Sequence, residues 1–415
     1  MLVHTSRLSA YTVYLIYSGV TSLSFSLIFT VNLVYQVEVA RLNPLQLVLV
    51  GTVLECVAFG CQVPTGLLAD IYSRRSAVIL GILVFGLAFV IEGSFPRFDI
   101  ILASQILFGV GATLSDGAEQ AWITDEVGEE RIGHVFLRST QVGLLAGILG
   151  AVLSVWLAGI RINLPIVIGG VLSIGVAGFL LLFMPENNFH PISKVERKTW
   201  RDMGNTFRNG MRVVRGSSFL VTILIIALFY GLYSEGYDRL WTAHFLTNFT
   251  FPPLGNLKPI VWFGVISVIG MVLTLGATEI VRRWVNIAQQ RLLIRALFVI
   301  NAIGIICIFV FALAGNFFVA VIAILLFKVF RALNDPVYAT WLTQNIDAKV
   351  RATVISMRGQ VDAFGQIVGG PPVGFIGNAF SIRAALLASG ALLSPVLLLY
   401  MYAARKIKKK LTQAS

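Results

Sequence analysis

Charged side chains lie inside long apolar stretches of this sequence. Glu235, Asp238 and Arg239 share one such stretch, and Lys328 and Arg331 lie three residues apart on another. A charge at the centre of a membrane-spanning helix costs roughly 2.5–3.5 kcal/mol on insertion scales and by default marks a functional site. Opposite charges can pair, so we expect Glu235 to pair with Lys328 and Asp238 with Arg331. Two interpretations stay open: a cavity ion network that binds substrate or protons, and a structural salt bridge between two helices.

Three further acids in apolar stretches, Glu55, Glu119 and Asp362, can bind and release a proton. Carboxyl groups inside membrane helices form proton relays in many transporters. Neither Glu119 nor Asp362 has an acidic counterpart in the internal repeat of the chain, so an architecture common to both halves does not require them. We therefore predict these three acids as candidates for proton coupling. Asp116 lies three residues before Glu119, and we expect both on one helix face.

The internal repeat relates the two halves of the chain at a constant offset of 219 residues. Seven of eighteen residues are identical between 107–124 and 326–343. The identical pairs include Asp116 with Asp335 and Trp122 with Trp341. Features kept in both halves indicate architecture, so we expect the aspartates to position helices near the cytoplasmic gate and the tryptophans to anchor the chain at the membrane interface. A repeat of half an apolar chain is typical of transporters.

The composition is that of a multi-pass membrane protein. Hydrophobic residues make up 57% of the chain, charged residues make up 13%, and the mean hydropathy is +0.84. Soluble domains carry about 25% charged residues. A spanning helix needs about 20 mostly apolar residues, and the sequence predicts twelve such spans. They lie at roughly 10–36, 44–69, 76–95, 98–123, 134–158, 163–184, 217–247, 258–281, 289–313, 316–343, 350–377 and 380–404.

A polar segment rich in Lys and Arg separates two sets of six spans. We predict an N-terminal bundle at 1–185, a basic cytoplasmic linker at 186–216 and a C-terminal bundle with a basic tail at 217–415. Most of the 32 Lys and Arg residues fall in the linker, the tail and alternate loops. This distribution places both termini on the cytoplasmic side of a bacterial inner membrane. The net charge of +12 is then a topology signal and a contact surface for anionic lipids, not for nucleic acid. We expect no cleavable signal peptide.

The segment between predicted spans two and three carries the most specific local pattern. Asp70 follows Gly66 by four residues, and the basic pair Arg74 and Arg75 follows Asp70 by four more. This pattern resembles the loop motif of the major facilitator superfamily (MFS), and the resemblance covers nearly the whole chain. It implies an all-α fold of twelve transmembrane helices in two pseudo-symmetric six-helix bundles. It also implies a central cavity lined by spans 1, 2, 4, 5, 7, 8, 10 and 11. All the deep charges named above lie on these spans. Glu92 belongs to span three, which is expected to face lipid, but it lies near an end of that span.

The motif also predicts a conformational latch on the cytoplasmic side. Gly66 allows another helix to approach closely, and Asp70 lies at a helix end. Arg74 and Arg75 can pair with Asp70 or with Asp125, which follows span four.

The resemblance implies a secondary active transporter, of the kind that includes bacterial drug-efflux proteins. Our first expectation is proton-coupled export of a small amphiphilic compound or drug. The alternatives are proton symport of a small anionic nutrient, with Arg239, Lys328 and Arg331 as binding groups, and a lipid flippase on the same scaffold. We expect no enzyme activity, no metal site and no cofactor besides the coupling proton, because the sequence has no nucleotide-binding loop, nucleophile elbow or metal-ligand cluster. The expected partners are a small-molecule substrate, protons and membrane lipids, with a monomeric chain and no nucleic acid.

Overall fold

The computed structural model describes residues 8–189, 216–255, 258–284, 290–346 and 348–414. Most of the predicted linker, 190–215, lies outside these ranges. The described chain is all-α, which confirms the predicted fold class. Eleven of its spans are long and apolar enough to cross a membrane. The twelfth, at 348–379, has 32 residues and a more polar sequence.

The first six spans contain eight helices, because two spans are interrupted. The helices are α1 (Ala10–Phe29), α2 (Asn32–Glu38), α3 (Pro44–Ile71), α4 (Arg74–Ser94), α5 (Phe98–Ser115), α6 (Ala118–Val127), α7 (Glu129–Ile160) and α8 (Leu164–Phe183). The last six spans contain seven helices. They are α9 (Ser218–Asn248), α10 (Val261–Trp284), α11 (Gln290–Leu313), α12 (Phe317–Asn345), α13 (Ala348–Ala379), α14 (Ile382–Leu393) and α15 (Pro395–Ala414).

The chain packs as two compact units. Within the described ranges, the first unit contains 8–42, 53–189 and 253–268, and the second contains 43–52, 216–252 and 269–414. The start of α3 therefore belongs to the second unit, and the start of α10 belongs to the first. The predicted division into two halves differs from these units in these two short segments.

The interruption between α5 and α6 is formed by two residues of the repeat. Asp116 ends α5 in an extended conformation, and Gly117 adopts a φ of +75° before α6 begins. The predicted common helix face for Asp116 and Glu119 is therefore wrong, because Asp116 follows the end of α5 and Glu119 lies in α6. In the second half, Pro336 occupies the position equivalent to Gly117, and α12 continues through it.

Glycines bring α9 and α13 of the second unit into backbone contact. A Cβ atom on Gly365 would lie 2.6 Å from the carbonyl oxygen of Leu228, and Gly369 is held as tightly against Leu232. On the opposing helix, a Cβ on Gly231 would collide with the carbonyl of Asp362. Small residues at four-residue spacing permit such crossings. This close contact fixes the acids of α9 beside α13.

Candidate functional site: ion pairs inside the two units

Asp238 of α9 and Arg331 of α12 form an ion pair with two parallel hydrogen bonds. The Nη1 and Nη2 atoms of Arg331 donate to the two carboxylate oxygens at 2.5 and 2.8 Å. A bidentate pair of this kind adds directional specificity to the charge attraction. The predicted Asp238–Arg331 pair is therefore confirmed. Both side chains keep part of their surface exposed, 41% for Asp238 and 39% for Arg331.

The partner of Glu235 is Arg239, not the predicted Lys328. The Nε atom of Arg239 donates to Glu235 Oε1 at 2.9 Å, and only 5% of the Glu235 side chain is exposed. The prediction was wrong because it looked for a cation on another helix. Arg239 lies one turn further along α9, and residues four apart on a helix are neighbours without any tertiary packing.

Two glycines that the sequence analysis did not identify enclose this buried pair. A Cβ atom on Gly51 would collide with the Glu235 carboxylate and the Arg239 guanidinium. A Cβ on Gly370 would lie 3.1 Å from Glu235 Cγ. Gly51 belongs to α3 and Gly370 to α13, so three helices of the second unit meet at Glu235. Nothing in the local sequence distinguishes Gly51 from the other glycines of the chain.

Lys328 has an aromatic neighbour. Its ammonium lies 4.6 Å from the ring centroid of Trp241, within the range of a cation–π contact. In the described ranges, no carboxylate oxygen lies within ion-pair distance of Lys328. Arg331 similarly lies 6.0 Å from the ring centroid of Tyr233. The second unit thus presents cations beside aromatic rings, a combination suited to amphiphilic or anionic molecules.

Asp362 lies on α13, and a residue of its own helix contacts it. Gln366 Nε2 donates to Asp362 Oδ2 at 3.0 Å, one turn away. The amide is neutral, so protonation of Asp362 would not break an ion pair with it. Asp335, which we predicted to be architectural, is exposed near the middle of α12.

The first unit holds the Glu119 carboxylate near its core. The hydroxyl of Tyr17 on α1 donates to Glu119 Oε2. Glu119 lies in the first turn of α6, immediately after the interruption at Gly117, and Tyr17 is only 5% exposed. The hydroxyl partner is neutral, as the amide is at Asp362. Glu55, the third predicted coupling acid, is partly buried in α3.

Arg74 connects two acids of the predicted latch within the first unit. Its guanidinium lies 3.5 Å from Asp70 and also contacts Asp125. It further donates to the carbonyl oxygen of Ala121 at 3.1 Å. We predicted that Arg74 could pair with Asp70 or with Asp125, and it contacts both. Among the described residues of this unit, nothing lies within 4 Å of a Cβ atom placed on Gly66.

Arg75 does not pair with Asp70 or Asp125. Its guanidinium donates to the carbonyl oxygen of Leu181 at 2.7 Å, and its backbone N–H donates to Glu186 Oε1 at 2.9 Å. Ser73 also donates to Glu186, at 2.8 Å. Glu186 therefore holds the beginning of α4, where a carboxylate is favoured by the exposed N–H groups. The sequence analysis missed Glu186, which follows the last helix of the first half.

Both repeat-related tryptophans are interior residues and not interface anchors. Trp122 is 2% exposed and donates its indole N–H to the carbonyl oxygen of Pro185 at 2.6 Å. Trp341 is fully buried, with rings of Phe219, Tyr338 and Tyr400 around it. An interface anchor needs an exposed ring, so the anchor prediction is wrong for both.

The sequence analysis did not predict the burial of Glu92 or its hydrogen-bond partners. It lies near the end of α4, as predicted, but it is fully buried. Its carboxylate accepts hydrogen bonds from side chains of α2 and α5. The available signal was the presence of the polar residues Gln36 and Gln105 within predicted spans one and four.

These helices and buried charges define a multi-pass membrane protein with charged side chains inside its helical units. The family model of the Major Facilitator Superfamily matches residues 13–369, and the chain belongs to that superfamily. It is a membrane transporter of a family whose members are generally not enzymes. Within the described residues, no group of three His, Cys, Asp or Glu side chains is arranged to hold a metal ion.

Individual relatives agree with this assignment. The uncharacterized MFS-type transporter YxaM of Bacillus subtilis (strain 168) is 22% identical over 369 residues, 86% of this chain and 86% of that protein. The structure of the nucleoside transporter NupG aligns with a TM-score of 0.72 at 14% identity, covering 96% of this chain and 100% of that one. A POT family transporter in complex with a thioalcohol-conjugated peptide aligns with a TM-score of 0.74 at 12% identity, covering 96% of each chain. At these identities, the structural likeness shows the fold alone.

Proposed function

We propose that this protein is a secondary active transporter that exports a small amphiphilic compound in exchange for protons. The observation that carries proton coupling is the contact between Glu119 and Tyr17 in the first unit. A hydroxyl group can donate to a carboxylate or accept from a carboxylic acid, so Glu119 can change its charge while the contact is kept. Asp362, with its amide partner Gln366, is the corresponding candidate in the second unit.

The contacts of the second unit support an amphiphilic substrate. Trp241, which is only partly buried, offers an aromatic face beside Lys328. Aromatic faces bind apolar bodies, and the cations orient a polar group. The sequence repeat supports transport by alternating access, as in other duplicated transporters.

Transport in vesicles tests the coupling. Everted membrane vesicles that express the protein would be given an inward-acidic gradient and a panel of fluorescent amphiphiles. We expect uptake of at least one compound, with proton release that Glu119→Gln or Asp362→Asn abolishes. Glu130→Gln, a change at an exposed acid of α7, is the matched control and should retain coupling. Coupled transport that survives both Glu119→Gln and Asp362→Asn would contradict the assignment of these acids.

A second candidate is proton symport of a small organic anion, and Lys328 favours it. Its ammonium contacts a ring, with no carboxylate of the described chain in ion-pair distance. The two acids and three cations of the network carry a net charge of +1 when all are ionised. Under this hypothesis, Lys328→Gln weakens substrate binding more than it weakens proton binding. Co-movement of protons and an anion into right-side-out vesicles would decide for symport over exchange.

We also propose that Arg74, Asp70 and Asp125 form a conformational latch on the cytoplasmic side of the protein. Both termini would lie on the same cytoplasmic side of a bacterial inner membrane. The distribution of Lys and Arg supports this orientation. Fusion of a phosphatase and of a fluorescent protein to the C-terminus tests it. Only the fluorescent fusion should be active. An active phosphatase would show that the C-terminus lies on the opposite side of the membrane.

A further inference from the structure

A fully buried polar cluster surrounds Glu92 in the first unit. Glu92 Oε1 accepts from Gln36 Nε2 at 2.8 Å. Glu92 Oε2 accepts from Ser104 Oγ at 3.0 Å and from Gln105 Nε2 at 2.8 Å. Each of these four residues is at most 2% exposed. The donors come from α2 and α5, so three helices direct polar groups to one carboxylate.

Two oxygen atoms of this region have no donor. Gln36 Oε1 and Asn32 Oδ1 are both buried, and no described group donates a hydrogen bond to either. The two residues lie four apart on α2 and therefore share a face of that helix. A buried acceptor without a partner is unfavourable and is rare in native proteins.

We propose that Glu92, Gln36 and Asn32 bind an alkali-metal cation. All three supply hard oxygen ligands, two from carboxamides and one from a carboxylate, and such ligands suit cations that form no covalent bonds. One carboxylate balances one positive charge, and a divalent ion would leave an uncompensated buried charge. Two of the three proposed ligands are carboxamide oxygens, so the site contains no group of His, Cys, Asp and Glu side chains that would mark it as a metal site.

We assign a pocket of about 590 Å³ in the same unit as the entry route to this site. Its lining includes Tyr35 and Gly93, the chain neighbours of Gln36 and Glu92, together with Glu38, Arg161 and Lys258. Tyr35 lines the pocket and donates its hydroxyl to the carbonyl oxygen of Glu92 at 2.7 Å. Lys258 directs its ammonium to the carbonyl oxygen of Gly159 at 2.6 Å, and Glu38 places a carboxylate along the route.

Thermal unfolding of the purified full-length protein in detergent tests the site. The midpoint would be measured in NaCl, KCl and choline chloride at constant ionic strength and pH. A ligand that binds only the folded state raises the midpoint in a saturable way. We expect that rise with sodium or potassium and not with choline, and the two alkali salts show which ion the site prefers.

Asn32→Ala is the decisive variant because it leaves all three donors to Glu92 in place. We expect it to raise the half-saturating cation concentration by about tenfold or more, as the loss of a partner does at other metal sites. Glu92→Gln should abolish the rise. Asn301→Ala removes a buried amide of the second unit that is fully hydrogen-bonded. It is the matched control, and it should lower the midpoint without changing the cation-dependent shift.

Equal midpoints in all three salts would overturn the proposal and would mean that water alone satisfies the two oxygens. An unchanged shift in Asn32→Ala would overturn it as well, even where Glu92→Gln fails to fold. The measurement requires no transport, so its outcome does not depend on the function proposed above.

Discussion

Arg331 and Asp238 form a bidentate ion pair that is partly open to its surroundings, whereas Glu235, three residues before Asp238, is held in a buried pair. An exposed ion pair contributes about 0–1 kcal/mol to stability. Removing one partner of a buried pair costs about 3–5 kcal/mol, because the remaining charge is uncompensated. Of the two acids on this helix, Asp238 can therefore change its ion-pair partner, whereas Glu235 stabilises the fold.

Replacement of each acid by its amide tests this difference. We expect Glu235→Gln to lower the free energy of unfolding by about 3–5 kcal/mol and Asp238→Asn to lower it by about 1 kcal/mol or less. Asp238→Asn should nevertheless abolish transport. Chemical denaturation of the purified variants and a transport assay measure the two effects. Equal destabilisation by both changes would show that the exposure of the Asp238 pair has no energetic consequence.

Gly51 should tolerate no side chain. A methyl group there would displace the Glu235 carboxylate and the Arg239 guanidinium, and overpacking of this kind costs about 1–3 kcal/mol. Gly60→Ala on the same helix is the matched control, because nothing lies within 4 Å of its added carbon. We expect a lower unfolding midpoint for Gly51→Ala and an equal or higher midpoint for Gly60→Ala. A stable Gly51→Ala would place the ion pair elsewhere.

Gly117 is required for its backbone conformation and not for space. Its φ of +75° is unfavourable for residues with a Cβ atom, at about 1–2 kcal/mol, although an added Cβ would meet nothing within 4 Å. Gly133→Ala, in helical backbone with equal space, is the control. We expect Gly117→Ala to lower both stability and proton coupling, because the turn precedes Glu119 directly. If both variants behave alike, backbone conformation is not the cause.

Arg74 should matter more than its neighbour Arg75. Arg74 contacts two carboxylates, Asp70 and Asp125, whereas the Arg75 guanidinium donates to a backbone carbonyl. We expect Arg74→Gln to reduce the transport rate at least about tenfold, the equivalent of about 1.4 kcal/mol, and Arg75→Gln to reduce it less. Initial rates at matched expression measure this. The latch hypothesis fails if the Arg75 variant is the slower one.

Long apolar runs and the repeat were enough to predict the helical architecture, because they depend on composition and period. The Asp238–Arg331 pair was predictable for the same reason, since charges inside apolar helices must meet other charges. The cluster at Glu92 was not, because its partners Gln36 and Gln105 come from other helices and local spacing does not bring them together. The partner of Glu235 and the interruption at Gly117 had visible signals, a cation four residues away and an Asp-Gly pair.

The residues at the two equivalent positions of the repeat, Gly117 and Pro336, have different backbone conformations, and proline cannot replace Gly117. The ring of proline restricts φ to about −65°, so proline is incompatible with the left-handed turn at 117. In the other copy, α12 continues through Pro336, although proline supplies no backbone N–H for the helix there. The two copies have therefore become specialised, and a chimera that carries one half twice would lose either the turn before Glu119 or the continuous helix that bears Arg331.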